Sequence, residues 1–169
     1  QDGFIHNNNF YNFPMQIVKN PAGSEGFQFR TKQVDLLKIP FQNGQPKIAD
    51  AKAIKAGLYT KVDGHELYYG AGVLKNATDG YIYVYGRLHK DFQVQLTVAR
   101  IKPDDIEKND SWRFWDGRQW NKDINKSVSL GEGGPELSVT IIEKGLLKGK
   151  YILVSMPISR EVFMRVGDS

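Results

Sequence analysis

The sequence contains no cysteine, and this absence excludes several classes of protein at once. A chain without thiols cannot form disulfides, thiolate zinc sites or a cysteine nucleophile. Long hydrophobic runs are also missing. The longest candidate, YILVSMPI at residues 151–158, is interrupted by Ser155 and Pro157, and it is far shorter than the roughly 20 residues that cross a bilayer. We therefore predict no membrane span.

Clusters of basic residues are absent as well. The 23 Lys and Arg residues exceed the 19 Asp and Glu residues and give a net charge of +4, but the two signs are interspersed along the chain. A phosphate-tracking surface needs clustered basic charge, so no nucleic-acid partner is predicted. The three histidines, His6, His65 and His89, are isolated from one another and from carboxylates at ligand spacing. The sequence therefore predicts no metal site and no cofactor.

Turn signals are frequent in the 169 residues. Asn-Gly or Asp-Gly pairs, which tolerate the positive φ of a tight hairpin, begin at residues 43, 63, 79 and 116. Between them, residues 93–101 (QVQLTVARI) alternate with the period of two that is typical of a half-buried strand, and residues 81–86 (YIYVYG) are apolar on both faces. Only residues 50–58 and 102–108 hint at helix. An all-β fold is predicted.

Further strands are predicted at residues 65–74, 112–120, 137–142, 150–155 and 161–166. Two stretches repeat one another, HELYYGAGVLKNATDGYIYVYG and PELSVTIIEKGLLKGKYILVSM. Each has a strand, a turn closed by a glycine and a second strand, and the two glycines, Gly80 and Gly149, are 69 residues apart. That offset suits one four-stranded propeller blade with long loops.

The repeat divides the chain into about two and a half blades, at residues 1–60 (partial), 61–125 and 126–169 (partial), of a single propeller domain. Because such a chain cannot close a ring, a further polypeptide segment is expected to complete it. A self-contained β-sandwich is the alternative architecture. The chain begins with Gln1 instead of Met, as a processed exported protein or a fragment would.

The succession GAGVL, DGYIYVYG, VARI, WRFWDGRQW, ELSV, GKYILVS and RVGDS resembles a family of secreted bacterial five-bladed β-propellers of unknown function. That family is related to propeller glycoside hydrolases of the arabinanase, xylosidase and fructosidase type. The best match covers residues 66–169, and Asn7 to Asn9 match more weakly near a first blade. The resemblance implies a carbohydrate-sized central cavity and a location that is secreted, periplasmic or at the cell surface.

In the related hydrolases, carboxylates from different blades converge at the axis, and one is a Glu that opens an inner strand. Glu136 occupies the corresponding place, and the resemblance implies the role of general acid, which partial burial would favour. The alternative is a solvated loop residue. Glu66, which opens the strand HELYYGAGVL, is the second catalytic candidate, and its alternative is a surface residue beside a hairpin. Asp168 is interpreted as a turn residue.

Aromatic residues form 12% of the chain, and their rings can stack on the apolar faces of sugars. Tyr68 and Tyr69 on a predicted inner strand, together with Asn8, are the candidate ligand contacts. The tryptophans at positions 112, 115 and 120 are expected on an outer strand, where packing between blades is the favoured interpretation.

Two functions follow. The first is a glycoside-hydrolase-like enzyme that acts on a poly- or oligosaccharide in the central cavity, and the second is a non-catalytic module that binds a saccharide or another surface ligand there. An inverting hydrolase would need a second carboxylate roughly 6.5 to 9.5 Å from Glu136. The sequence leaves open whether the protein is an enzyme.

Overall fold

The computed structural model describes residues 2–24, 26, 28–90, 93–157 and 161–168, which form three antiparallel sheets. The first sheet contains β1 (Gly3–His6), β2 (Asn9–Asn12), β3 (Met15–Lys19), β4 (Phe29–Gln42), β5 (Gln45–Pro46) and β6 (Lys52–Lys55). The second contains β7 (Tyr59–Val62), β8 (His65–Leu74), β9 (Ile82–Lys90), β10 (Gln93–Ile101), β11 (Arg113–Trp115) and β12 (Trp120–Asn121). The third contains β13 (Glu136–Ile141), β14 (Tyr151–Met156) and β15 (Phe163–Gly167).

Among the described residues, helical structure is limited to short 3₁₀ turns at Ile48–Asp50, Pro103–Asp105, Asn109–Ser111 and Ile124–Lys126. The all-β prediction is confirmed. The helical hint at residues 50–58 is wrong, because β6 lies inside it and pairs with β4. In the described part of the chain, no helix has the length and apolar character needed to cross a membrane.

The second and third sheets are simple meanders in which each strand pairs with the next one along the chain. The predicted turns join these strands, with Asp63 and Gly64 at φ of 51° and 78° between β7 and β8. Asp79-Gly80 lies between β8 and β9, and Asp116-Gly117 between β11 and β12. In the Asp63-Gly64 turn, positive φ at both central residues matches the twist of the flanking strands and so favours a tight hairpin. In the other two pairs only the glycine, Gly80 or Gly117, has a positive φ.

The first sheet is also an up-and-down arrangement, although β2 and β3 both pair with β4. Asn12 is opposite Leu37 and Met15 is opposite Val34, so the two short strands keep one register along the same long partner. A hydrogen bond from the Asp35 N–H to the Pro14 carbonyl, 3.1 Å, bridges the break between them. β2 and β3 therefore act as one strand interrupted at proline, which cannot donate to the ladder.

The second sheet is covered on both faces. One face packs on the first sheet in the main core, to which Phe13, Leu36, Tyr69 and Trp112 contribute. The opposite face packs on the third sheet in a smaller core. That core contains Leu74, Leu96, Val139 and Leu153.

The first and third sheets both approach strand β8 closely. A Cβ added at Gly70 would lie 2.3 Å from the Cβ of Phe13, and one added at Gly72 would lie 2.3 Å from Cδ1 of Leu137. Only glycine allows side chains from both neighbouring sheets to approach the same strand this closely. The structure contains stacked meanders and a curled, half-barrel sheet, and both features are compatible with part of a propeller. The sandwich alternative requires Greek-key crossings between its sheets.

The outer face of the third sheet carries exposed apolar side chains. They are Val154, Met156, Met164 and Val166, each more than a third exposed. Glu136 pairs with Met156 across β13 and β14 and belongs to the same face. This face differs from both faces of the second sheet, which are covered by neighbouring sheets.

Candidate functional site

A cleft of about 410 Å³ lies between the second and third sheets. Its aromatic lining comes from both sheets, with Tyr83, Trp115 and Trp120 on one side and Tyr151 on the other. Asp79 and Asp168 are the charged side chains among the described lining residues. The cleft thus combines aromatic surface with carboxylates.

Strand register places the tryptophans in this cleft. Trp115 and Trp120 are directly opposite each other across the β11–β12 hairpin, and their ring centroids are 5.2 Å apart. Tyr83 meets Trp120 edge to face with centroids 5.7 Å apart. Both tryptophans are half-buried. The rings are therefore held by one another while part of their surface stays available to a ligand.

Asp79 is fixed at the edge of the cleft by its neighbours. The Tyr83 hydroxyl donates to Oδ2 over 2.6 Å, and the Tyr81 backbone N–H donates to Oδ1 over 3.1 Å. Burial acts to raise the pKa of this carboxyl, but these two hydrogen bonds and the nearby Arg100 and Lys102 cations outweigh it, so the pKa of Asp79 is lowered. The group is a carboxylate at neutral pH and can only accept hydrogen bonds.

Arg100 is clamped beside Asp79. Its guanidinium carbon lies 4.2 Å from the Tyr81 ring centroid and 4.3 Å from the Trp120 ring centroid. Its Nη1 lies 3.9 Å from Oδ2 of Asp79, which makes an ion pair and is too long for a hydrogen bond. Cation–π contacts with both rings hold the guanidinium in place.

The third sheet supplies the other wall. The Tyr151 hydroxyl accepts a hydrogen bond from the Thr78 backbone N–H over 3.2 Å, which ties β14 to the loop that carries Asp79. Lys150 makes an ion pair with Asp168. Burial raises the pKa of Tyr85, at the base of the cleft, to about 12, so that this hydroxyl stays protonated and can donate a hydrogen bond.

The candidate catalytic residues lie elsewhere. Glu136 opens β13 and is exposed. Glu66 is on β8 beside the Asp63-Gly64 turn, where its Oε1 accepts hydrogen bonds from Lys61 over 3.0 Å and from the Tyr59 hydroxyl over 3.3 Å. These contacts match the alternative of a residue flanking a hairpin.

The structure does not bring the two glutamates together. Leu137, next to Glu136, contacts the position of Gly72 near the C-terminal end of β8, whereas Glu66 is near the start of that strand. At about 3.3 Å per residue this separates them by roughly 20 Å along β8. That separation exceeds the carboxylate spacing of an inverting or a retaining hydrolase.

The candidate tyrosines are buried. Tyr69 has no exposed surface and its hydroxyl bonds to Ser127 Oγ over 2.8 Å, which assigns it to the core. Tyr68 is 8% exposed, and its hydroxyl lies 2.6 Å from His89 Nε2. Burial, and then the Arg87 cation, lower the pKa of His89. The neutral imidazole therefore belongs to a hydrogen-bonded pair with Tyr68 inside the sheet.

Asn8 has a structural role in the hairpin between β1 and β2. It adopts a φ of 59°, and its Nδ2 donates to the Phe41 carbonyl over 2.7 Å. Asparagine is among the few residues that tolerate this left-handed conformation. The residue is exposed, and its amide is occupied by the turn.

The prediction that a large aromatic of the tryptophan-rich segment is buried holds for Trp112 and Phe114, which are 1% and 3% exposed. The same prediction missed that Trp115 and Trp120 line a cleft. Asp168 was interpreted as a turn residue, yet it also lines this cleft. The available signal was the alternation within WRFWDGRQW, which sends neighbouring aromatics to opposite faces of a sheet.

These features define an all-β protein of stacked meander sheets with an aromatic cleft between two of them. Over residues 1–169 the chain matches the family model described as "Domain of unknown function (DUF5005)". The chain belongs to this family. No curated protein matches the sequence.

Proposed function

We propose that the protein binds a saccharide in the aromatic cleft as a non-catalytic module. The observation that supports this most directly is the half-buried pair Trp115 and Trp120, which line a cleft of about 410 Å³ together with Tyr151. Aromatic rings stack on the apolar faces of sugars, and cavities of roughly 300 to 1,000 Å³ suit small ligands. The proposed site lies between two sheets, whereas the resemblance implied a central cavity.

The test is saccharide binding by Trp120→Ala. Loss of stacking area should weaken binding at least about tenfold, and Trp120→Phe should recover part of it. Phe10→Ala is the matched control, because Phe10 is a half-buried aromatic of the first sheet, on the far side of the main core. The affinities of the wild type and of the three variants for a panel of polysaccharides are compared. Equal binding by Trp120→Ala and the wild type would refute the proposal.

Hydrolysis is the other candidate function, and it rests on the resemblance. If the protein is a hydrolase with Glu136 as general acid, Glu136→Gln should keep saccharide binding and lower turnover by a factor on the order of 10² to 10⁴. Turnover of aryl glycosides and polysaccharides by the wild type and the variant measures this. Full activity in the variant would remove Glu136 from the chemistry.

The predicted further polypeptide segment also stays a proposal. We propose that it contributes an additional β-sheet, which covers the outer face of the third sheet. Continuity of packing supports it, because each face of the second sheet is already covered by a sheet. Met164, 64% exposed, contributes to this apolar face from the edge strand β15, opposite Val154 on β14. Met164→Lys should abolish association at this face without lowering the melting temperature, and unchanged association would refute the proposal. Export from the cell remains a prediction.

A further inference from the structure

The charges around the cleft bear on the class of saccharide, an inference that rests on the proposed function. Each carboxylate in the described lining already has its own cation. Asp79 is 3.9 Å from Nη1 of Arg100, and Asp168 makes an ion pair with Lys150. Each lining carboxylate is therefore matched by a cation before any ligand arrives, and Lys102, whose Nζ lies 3.7 Å from the Tyr81 ring centroid, adds a further cation near Asp79.

Asp79 nevertheless keeps free acceptor capacity. A carboxylate offers about four lone-pair sites, and two of them receive the Tyr81 N–H and the Tyr83 hydroxyl. The side chain is 42% exposed. An incoming hydroxyl group can therefore donate to it without displacing either partner.

Arg100 offers the complementary donor. Its side chain is 23% exposed, and a guanidinium group only donates hydrogen bonds. A donor group and an acceptor group 3.9 Å apart can serve two adjacent hydroxyls of one sugar, one accepting from the guanidinium and one donating to the carboxylate.

We infer that the cleft takes a neutral saccharide, whose hydroxyl groups bind the charge-balanced Asp79–Arg100 pair while its ring stacks on Trp120. A uronic acid would bring a further negative charge beside the two carboxylates, Asp79 and Asp168. A protonated amino sugar would compete with cations that are already in place. A neutral sugar exchanges hydrogen bonds with the site and leaves both ion pairs intact.

The first experiment probes the wild type with three classes of polymer. The neutral class contains glucans, xylans, mannans and arabinans, the anionic class contains polyuronates, and the cationic class is chitosan. Binding to a neutral polymer is expected, and its Kd should change less than about twofold between 20 and 500 mM NaCl, since no net charge is exchanged. Preference for a polyuronate or chitosan, or a strongly salt-dependent Kd, overturns the inference but leaves saccharide binding in place. No binding to any polymer, or binding that Trp120→Ala leaves unchanged, overturns the proposed function itself.

Two variants test the pairing directly. Asp79→Asn keeps an acceptor for the Tyr81 N–H but removes the charge. It should lower the affinity for the neutral polymer by a factor on the order of 10 to 100. Lys150→Gln leaves Asp168 without its cation and should raise the affinity for chitosan several-fold relative to the neutral polymer. Lys148→Gln, which removes an exposed lysine in the preceding turn, is the matched control. An unchanged chitosan-to-neutral ratio in Lys150→Gln, or full neutral binding by Asp79→Asn, contradicts the assignment.

Discussion

Trp112 is the largest fully buried side chain of the protein, and replacing it tests how the second sheet packs on the first. Its ring meets Phe13 edge to face, with centroids 6.2 Å apart and planes inclined at 78°. Its Nε1–H is buried without a hydrogen-bond partner among the described residues. Two variants separate these features, since Trp112→Ala removes the ring and Trp112→Phe removes mainly the unpaired donor.

The two changes should differ in size. Truncating a buried tryptophan to alanine costs about 3 to 5 kcal/mol in unfolding free energy. For a domain of this length each 1 kcal/mol shifts the melting temperature by about 2 to 4 °C, which predicts a decrease of roughly 6 to 20 °C. In Trp112→Phe the lost ring volume costs about 1 kcal/mol, and relief of the unpaired N–H returns about 1 to 3 kcal/mol. That variant should therefore be as stable as the wild type or more stable by up to about 2 kcal/mol.

Urea unfolding monitored by circular dichroism, with calorimetry as a second probe, measures both variants. The denaturant dependence should stay the same, so that a shifted midpoint reports stability alone. Trp112→Ala within about 2 °C of the wild type would refute the proposed core. A Trp112→Phe variant as unstable as Trp112→Ala would show that Nε1 has a partner after all.

Two further perturbations follow from the packing and the charges. In thermal melts, Gly70→Ala should destabilise the protein by several kcal/mol more than Gly44→Ala. Both glycines have a positive φ, but only a Cβ at Gly70 would collide with Phe13. Equal effects would contradict the close approach at β8. The hydrogen bond from Lys38 lowers the pKa of Glu107 in the folded protein. The Glu107 carboxylate therefore stabilises the fold at pH values above its unfolded pKa of about 4.3. This stabilisation is lost as the pH falls through the lower pKa of the folded state. Because the pair is exposed, Glu107→Gln should lower the unfolding free energy by less than about 1 kcal/mol at pH 7 and leave it unchanged near pH 2. A loss of stability that persists at low pH would show a contribution other than charge.

Most of the strands could be predicted from the sequence, because local patterns determine them. The alternation in QVQLTVARI places β10 at residues 93–101, and the strand predicted at residues 65–74, directly after the Asp63-Gly64 turn, coincides with β8. The first sheet was harder to derive. A single strand interrupted at Pro14 has no local signature that distinguishes it from two separate strands, and only pairing to β4 reveals its continuity.

The site was largely beyond prediction, because it depends on which sheets pack together. Nothing near Tyr151 in the sequence indicates that its hydroxyl meets Thr78, 73 residues away in the chain. The predicted ligand contact Tyr69 has the same local composition as an exposed binding tyrosine. Its burial depends on the first sheet packing over that face of β8.

One short segment illustrates how a single pattern serves both core and cleft. Phe114 pairs with Ala99 and faces the main core, whereas its neighbour Trp115 points to the other side and lines the cleft. Because side chains alternate with a period of two, a slip of one residue between β10 and β11 would exchange the two environments. Composition alone cannot assign such residues, but register can. A substitution scan of the segment should therefore alternate, with positions 112 and 114 changing stability and positions 115 and 120 changing saccharide binding.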